Sequence, residues 1–177
     1  SMIPILENLG FHVLMERPHE IIMRQQSSVW LQDFLLKLTL NIDVDFYSIT
    51  EDFGQALEAI WSGVAENDRF NRLVIGASLS WREVALLRLY SRYLKQLGIS
   101  YSQDFIADTL SAYAGLSKAL FALFGAMFDP QSAHNEGQSH ELQNLRQGIE
   151  KSLESVLDIS HDKVFRAYLQ VIEATKR

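Results

Sequence analysis

The sequence predicts a mainly α chain: a helical bundle preceded by a small N-terminal helix plus an antiparallel β-hairpin. Two runs rich in β-formers lie close together before residue 41. Beyond Asn41 the apolar residues recur at three- and four-residue steps. The later stripes are bounded by hydroxyl residues in front and glycine behind, as helices are. The chain divides accordingly into residues 1–45 and 46–177.

Pro4 suits a first helical turn and Gly10 a stop, giving a helix over residues 4–9. Residues 11–23 and 29–40 follow as strands joined at Gln26-Ser27-Ser28. In the second strand Val29, Leu31, Asp33 and Leu35 share one parity, and Trp30, Phe34, Leu36 and Leu38 the other. Pro18 has no N–H for a ladder and belongs on an edge or at a bend. A lone hairpin is unstable, so it must pack on a helix or pair with another chain. A further strand ahead of Met2 is therefore expected, and Ser1 reads as an addition before an internal start.

Ser48 with Glu51 has capping-box spacing. Phe53, Leu57, Ile60, Trp61 and Val64 then fall on one helical stripe. Phe70, Leu73, Val74 and Ala77 make a short second helix. Ser80 and Glu83 repeat the capping box ahead of Val84, Leu87, Tyr90, Leu94 and Leu97, and Gly98 closes that helix. Ser102 caps the next, with Phe105, Ile106, Thr109, Leu110 and Tyr113, and Gly115 interrupts it. Residues 116–128 are apolar nearly all round and belong in a core or at an interface. Asp129-Pro130 ends them, and residues 131–140 are polar and aperiodic, a flexible loop. Leu142, Leu145, Ile149, Leu153 and Val156 form another helix. Ser160 caps the last, with Val164, Phe165, Tyr168, Val171 and Ile172. That pattern runs to Arg177 without a C-cap signal, which reads as truncation.

The 177 residues carry a formal net charge of -6 and no cysteine. Disulfides, thiolate chemistry and sulfur-built zinc sites are excluded. The acidic balance disfavours nucleic acid and anionic lipid. The apolar run 116–128 is too short for a bilayer and contains Lys118. No membrane partner is expected, and a cytoplasmic location fits best.

Ile5-Leu6-Glu7-Asn8-Leu9-Gly10 running into Glu16-Arg17-Pro18 resembles an ACT-like segment of the large bacterial NAD-specific glutamate dehydrogenases. Trp30-Leu31-Gln32-Asp33-Phe34 is similar to that family's next strand. The ordered series continues through residues 66–74, 79–84, Leu87-Arg88, residues 93–96, Leu123-Phe124 and Phe128-Asp129-Pro130. It is weakest over residues 131–140, and Gly125-Ala126-Met127 stands where the family leads one to expect charge. The resemblance makes residues 1–45 a partial ACT-like α+β segment. It implies a parent several times longer that oxidatively deaminates L-glutamate to 2-oxoglutarate and ammonium with NAD. Ala174-Thr175-Lys176-Arg177 looks like the entrance to the catalytic part, so glutamate and NAD residues are expected beyond Arg177.

The residues fit that division. No Gly-x-Gly-x-x-Gly turn or P-loop spacing occurs, so no catalytic, cofactor-binding or metal residue is assigned. His134 and His140 share a polar segment with Glu136 and Glu141, but ligands need a rigid supporting shell, and a solvated linker is the plainer account. His12 and His19 read as surface or edge residues. Glu16, Arg17 and Asp33 form a polar cluster across the hairpin. Charge pairing at roughly 0.2–1 kcal/mol is one account; an effector site is the other. Glu66, Asp68, Arg69 and Arg72 cluster at a helix junction. Arg88, Arg92 and Lys95 share one helix face and require acidic partners. Leu116, Leu120, Phe121, Phe124, Met127 and Phe128 form the boldest apolar surface, either core or an interface with the rest of the polypeptide or another subunit of a homo-oligomer. The sequence thus predicts a non-catalytic structural or regulatory segment, inactive alone. The rival is an autonomous amino-acid-sensing or protein-interaction helical module. A small hydrolase has no nucleophile–base–acid spacing to recommend it.

Overall fold

The first helix, α1 (Ile3–Asn8), begins on Pro4 and ends at Gly10, whose φ of 98° is natural only to glycine. The structure, a computed structural model, describes residues 1–22, 28–42, 45–128 and 138–176, with the backbone alone for Phe46, Gln138 and Ser139. After α1 come β1 (Phe11–Ile22) and β2 (Ser28–Leu38), then α2 (Phe46–Trp61), a 3-10 turn (Arg69–Asn71), α3 (Arg72–Gly76) and α4 (Trp81–Gln96). Helices α5 (Gln103–Ala112), α6 (Ala114–Phe128), α7 (Gln138–Leu153) and α8 (Ile159–Ala174) complete the described elements. The architecture is mainly α with a two-stranded antiparallel hairpin.

The hairpin pairs Phe11 with Leu38 at its base and Ile22 with Ser28 at its far end. At about 3.3 Å per residue it reaches roughly 35–40 Å. Its one irregularity lies between Val13 and Met15, so Leu14 is the extra residue. Pro18 sits within regular pairing, opposite Gln32. In a two-stranded sheet both strands are edges, and a missing N–H is tolerated without a bend. The face carrying Phe34, Leu36 and Leu38 turns to the helices: Phe11 meets Phe53 edge-on at 5.6 Å, and Phe34 and Leu36 line one hollow with Met2, Leu6, Phe53 and Leu57.

One buried cluster runs from Ile5 through every described helix to Ile172. Tyr168, Phe165, Phe70, Leu87, Ile106, Leu110, Leu120 and Leu123 are among its largest wholly enclosed side chains. Enclosing each apolar one contributes about 1.5–3 kcal/mol. The Tyr168 hydroxyl donates to the Leu87 carbonyl at 2.9 Å, and burial pushes its phenol well above the usual range.

Several local expectations are corrected. Helix α2 is capped by Asp45, whose carboxylate accepts from the Tyr47 N–H; Ser48 lies in the first turn and donates back to the Asp45 carbonyl. Asp158, not Ser160, caps α8, accepting from the Ser160 and His161 N–H groups, which hold its carboxyl below the ordinary range. Trp61 and Val64 are exposed, because α2 ends at Trp61 and the chain turns at Gly63. Leu97 is exposed at the C-cap of α4. The break after α5 falls at Tyr113, and Gly115 belongs to the first turn of α6. Helices α5 and α6 meet at 100°, the corner braced by Tyr113 against Phe165 and His161. Helix α7 already includes residues 138–140 of the expected loop; the rest of that loop, His134 and Asp129-Pro130 lie outside the described residues, as do Gln26 and Ser27. Helix α8 ends at Ala174, closed by Thr175, so the last turn is capped and does not run on to Arg177. The Ser80–Glu83 capping box forms in full, and Ser102 caps α5.

Candidate functional site

Chemistry-bearing side chains gather at the junction of the α2–α3 connection with α4 and α5. Asp68 caps the 3-10 turn by accepting from the Phe70 N–H at 3.0 Å, which aims its carboxylate at α4. There the Arg88 guanidinium, almost fully buried, donates from Nε to Oδ2 at 2.7 Å and from Nη2 to Oδ1 at 2.9 Å. The same Nη2 donates to Asn71 Oδ1 at 2.8 Å, and the Asn71 amide donates to the Glu66 carbonyl at 2.9 Å. Arg88 also lies 5.7 Å from the centre of the Phe70 ring. Nε and Nη2 of this buried cation are both engaged within the chain, so it works as a clip.

Its neighbours are consumed in the same way. Arg92 pairs with Glu66, and Lys95 donates to the Tyr101 carbonyl. Arg88 and Arg92 on the basic face of α4 thus find acidic partners within the chain, whereas Lys95 finds a backbone carbonyl. Arg69 and Arg72 both reach Asp108 on α5, at 2.6 and 2.9 Å, and Arg69 lies 3.8 Å from Asp104. These half-exposed pairs contribute little each. Asp104 and Asp108 were not singled out from the sequence. Their four-residue spacing on one helix face, opposite two arginines, was the available signal.

Beside Arg72 and Asp108 opens a hollow of about 730 Å³ between the β2–α2 connection (Thr39, Leu40), Ser111, the start of α6 and Ser152 near the end of α7. It presents both signs of charge and several hydroxyls.

The hairpin cluster divides. Arg17 and Asp33 stand directly opposite across the ladder; Glu16 pairs with Phe34 and lies on the other face. Adjacent strand residues point to opposite faces, so Glu16 cannot join the other two. No ion pair within 4.0 Å links Arg17 to Asp33 among the described residues. His12 and His19 are exposed. The apolar surface of α6 is largely covered by the core. Leu116 and Leu120 are buried, while Phe121, Phe124 and Met127 are half-buried and packed on the core. Phe124 meets Tyr90 and Phe128, at 5.9 and 4.8 Å. A run of exposed apolar residues lies on the hairpin, where Met15, Ile21, Val29, Leu31 and Leu35 are open to solvent.

Among the described residues no group of three or more His, Cys, Asp or Glu could hold a metal ion. Their sheet is antiparallel, and a dinucleotide crevice forms beyond the ends of parallel strands. No single described helix is long and apolar enough to cross a membrane; α5 and α6 reach that composition only as a pair bent by 100°.

Two family models match the chain: the ACT3 domain of glutamate dehydrogenase over residues 1–49, and its helical motif 3 over residues 65–130. The chain is 40% identical over 177 residues to the NAD-specific glutamate dehydrogenase of Halomonas elongata, and 39% identical over 178 residues to that of Pseudomonas aeruginosa. It is 30% identical over 182 residues to that of Mycobacterium tuberculosis. All of this chain is covered in each case, but it spans only 11% of the length of each relative.

Proposed function

Because the chain belongs to the NAD-specific glutamate dehydrogenase family, of which it represents an ACT3–helical motif 3 segment, we propose that it is a non-catalytic scaffold within a larger enzyme. That enzyme would oxidatively deaminate L-glutamate with NAD. The segment would position the catalytic part and build contacts with the remaining domains and with other subunits. The observation that carries this is the fate of the polar residues: the buried guanidinium of Arg88 and its neighbours are spent holding helices together. In this reading NAD and glutamate bind elsewhere in the polypeptide, which works in the cytoplasm. The purified 177-residue chain, mixed with L-glutamate and NAD, is expected to form no NADH by absorbance. Sustained turnover by these residues alone would overturn the proposal.

The hollow beside Arg72 and Asp108 favours a second reading, an amino-acid-sensing module, since Arg72 Nε and Ser111 Oγ, both from residues that line it, are buried without a hydrogen-bond partner among the described residues. Thermal-shift titration with amino acids separates the two readings. A saturable shift abolished by Ser111→Trp supports the sensor, and flat curves support the scaffold.

A further inference from the structure

The face of the hairpin turned away from the helices follows a pattern. From base to far end its cross-strand pairs are His12/Lys37, Met15/Leu35, Arg17/Asp33, His19/Leu31 and Ile21/Val29. Met15, Leu35, Leu31, Ile21 and Val29 are 41–56% exposed, an apolar sheet face open to water. At its middle sit one guanidinium and one carboxylate, side by side and without an ion-pair partner within 4.0 Å among the described residues. Apolar side chains flank the charged pair on both sides.

Such a pattern complements itself. A two-fold axis lying between the two sheets and running along the strands, midway between β1 and β2, sets Arg17 of one copy against Asp33 of the other, twice over. It also sets Met15 against Leu35, His19 against Leu31 and Ile21 against Val29 of the other copy. At the base Lys37 then lies over His12 of the other copy, where its stem can cover the ring while the ammonium stays wet. Two-fold interfaces require this: one patch serving as its own partner. Sheets pack face to face at about 10 Å with their apolar residues between them. The charged pair sets the register more than the strength.

We propose that this hairpin face is a homodimer interface, occupied by the same face of a second copy of the chain. The proposal deepens the scaffold reading by naming one subunit contact, and it is tested by association, not by turnover, so the two can fail separately. Sedimentation velocity of the chain over a concentration series is expected to show a reversible dimer. Arg17→Asp and Asp33→Arg should each weaken it by at least about tenfold, because each reversal creates two repulsive contacts across the axis. An equimolar mixture of the two variants should regain association. One copy then presents two carboxylates and the other two guanidinium groups. Both positions are exposed, and circular dichroism checks that the variants fold; Leu31→Lys provides an independent route to the same loss. A chain that stays monomeric throughout, a dimer indifferent to the reversals, or a mixture that does not recover would each overturn the proposal.

Discussion

Replacing Arg88 by methionine removes the clip between α4 and the α2–α3 connection while keeping part of its volume. Three hydrogen bonds disappear, two to Asp68 and one to Asn71. Breaking a buried ion pair from one side costs about 3–5 kcal/mol, because the other charge is stranded. Asp68 keeps 31% side-chain exposure and can recover water, which draws the figure to the low end. Asn71, 3% exposed, cannot rehydrate in the same way. The expected loss is therefore about 3 kcal/mol, or a fall in Tm of roughly 6–12 °C for a chain of this size. Urea denaturation of Arg88→Met, Asp68→Asn and the double variant isolates the coupling, expected at about 2 kcal/mol. A loss below about 1 kcal/mol for Arg88→Met, or additive single effects, would refute the clip.

Four other perturbations follow from the same packing. Burial keeps the Tyr168 phenol protonated after the unfolded chain has begun to ionise near its ordinary value of 10.0. Its contribution is complete below that pH and is lost as pH rises beyond it, at about 1.4 kcal/mol per unit. Tyr168→Phe should cost about 1 kcal/mol at neutral pH and flatten the alkaline denaturation curve; equally steep curves would contradict this. Asp158 is held below the ordinary carboxylate range, so its cap contributes above that range and fades as pH falls through the depressed value. Asp158→Ala should lower the Tm at neutral pH, with the gap from the unmutated chain closing in acid, as scanning calorimetry would register. Gly10→Ala places a Cβ 3.0 Å from Leu40 at a φ of 98° and should destabilise by about 1–2 kcal/mol. Gly148→Ala, inside α7 with open space around it, should stabilise by about 0.5–1 kcal/mol in chemical denaturation.

What the sequence disclosed was local. The hairpin and most helices follow from period and turn residues, and the Ser80–Glu83 box formed because both partners sit within one turn. Ser48 and Ser160 misled because a carboxylate stood two or three residues upstream. Asp45 and Asp158 are stronger acceptors than a hydroxyl, and they took the free N–H groups. Partners distant in sequence were invisible: Arg88 finds Asp68 from 20 positions away, and Arg69 finds Asp108 from 39. Of the hairpin cluster, facing Arg17 with Asp33 was legible, and strand alternation should have excluded Glu16. Apolar residues on both parities of β2 already marked a strand with two faces to cover.

The bond from Tyr168 to Leu87 spans 81 positions. A ribosome adding about 5–20 residues per second needs roughly 4–16 s to travel that distance. Throughout that interval the nascent α4 has its socket empty, whatever the order in which the earlier helices collapse. Truncated products that stop short of α8 should therefore become clients of chaperones and proteases.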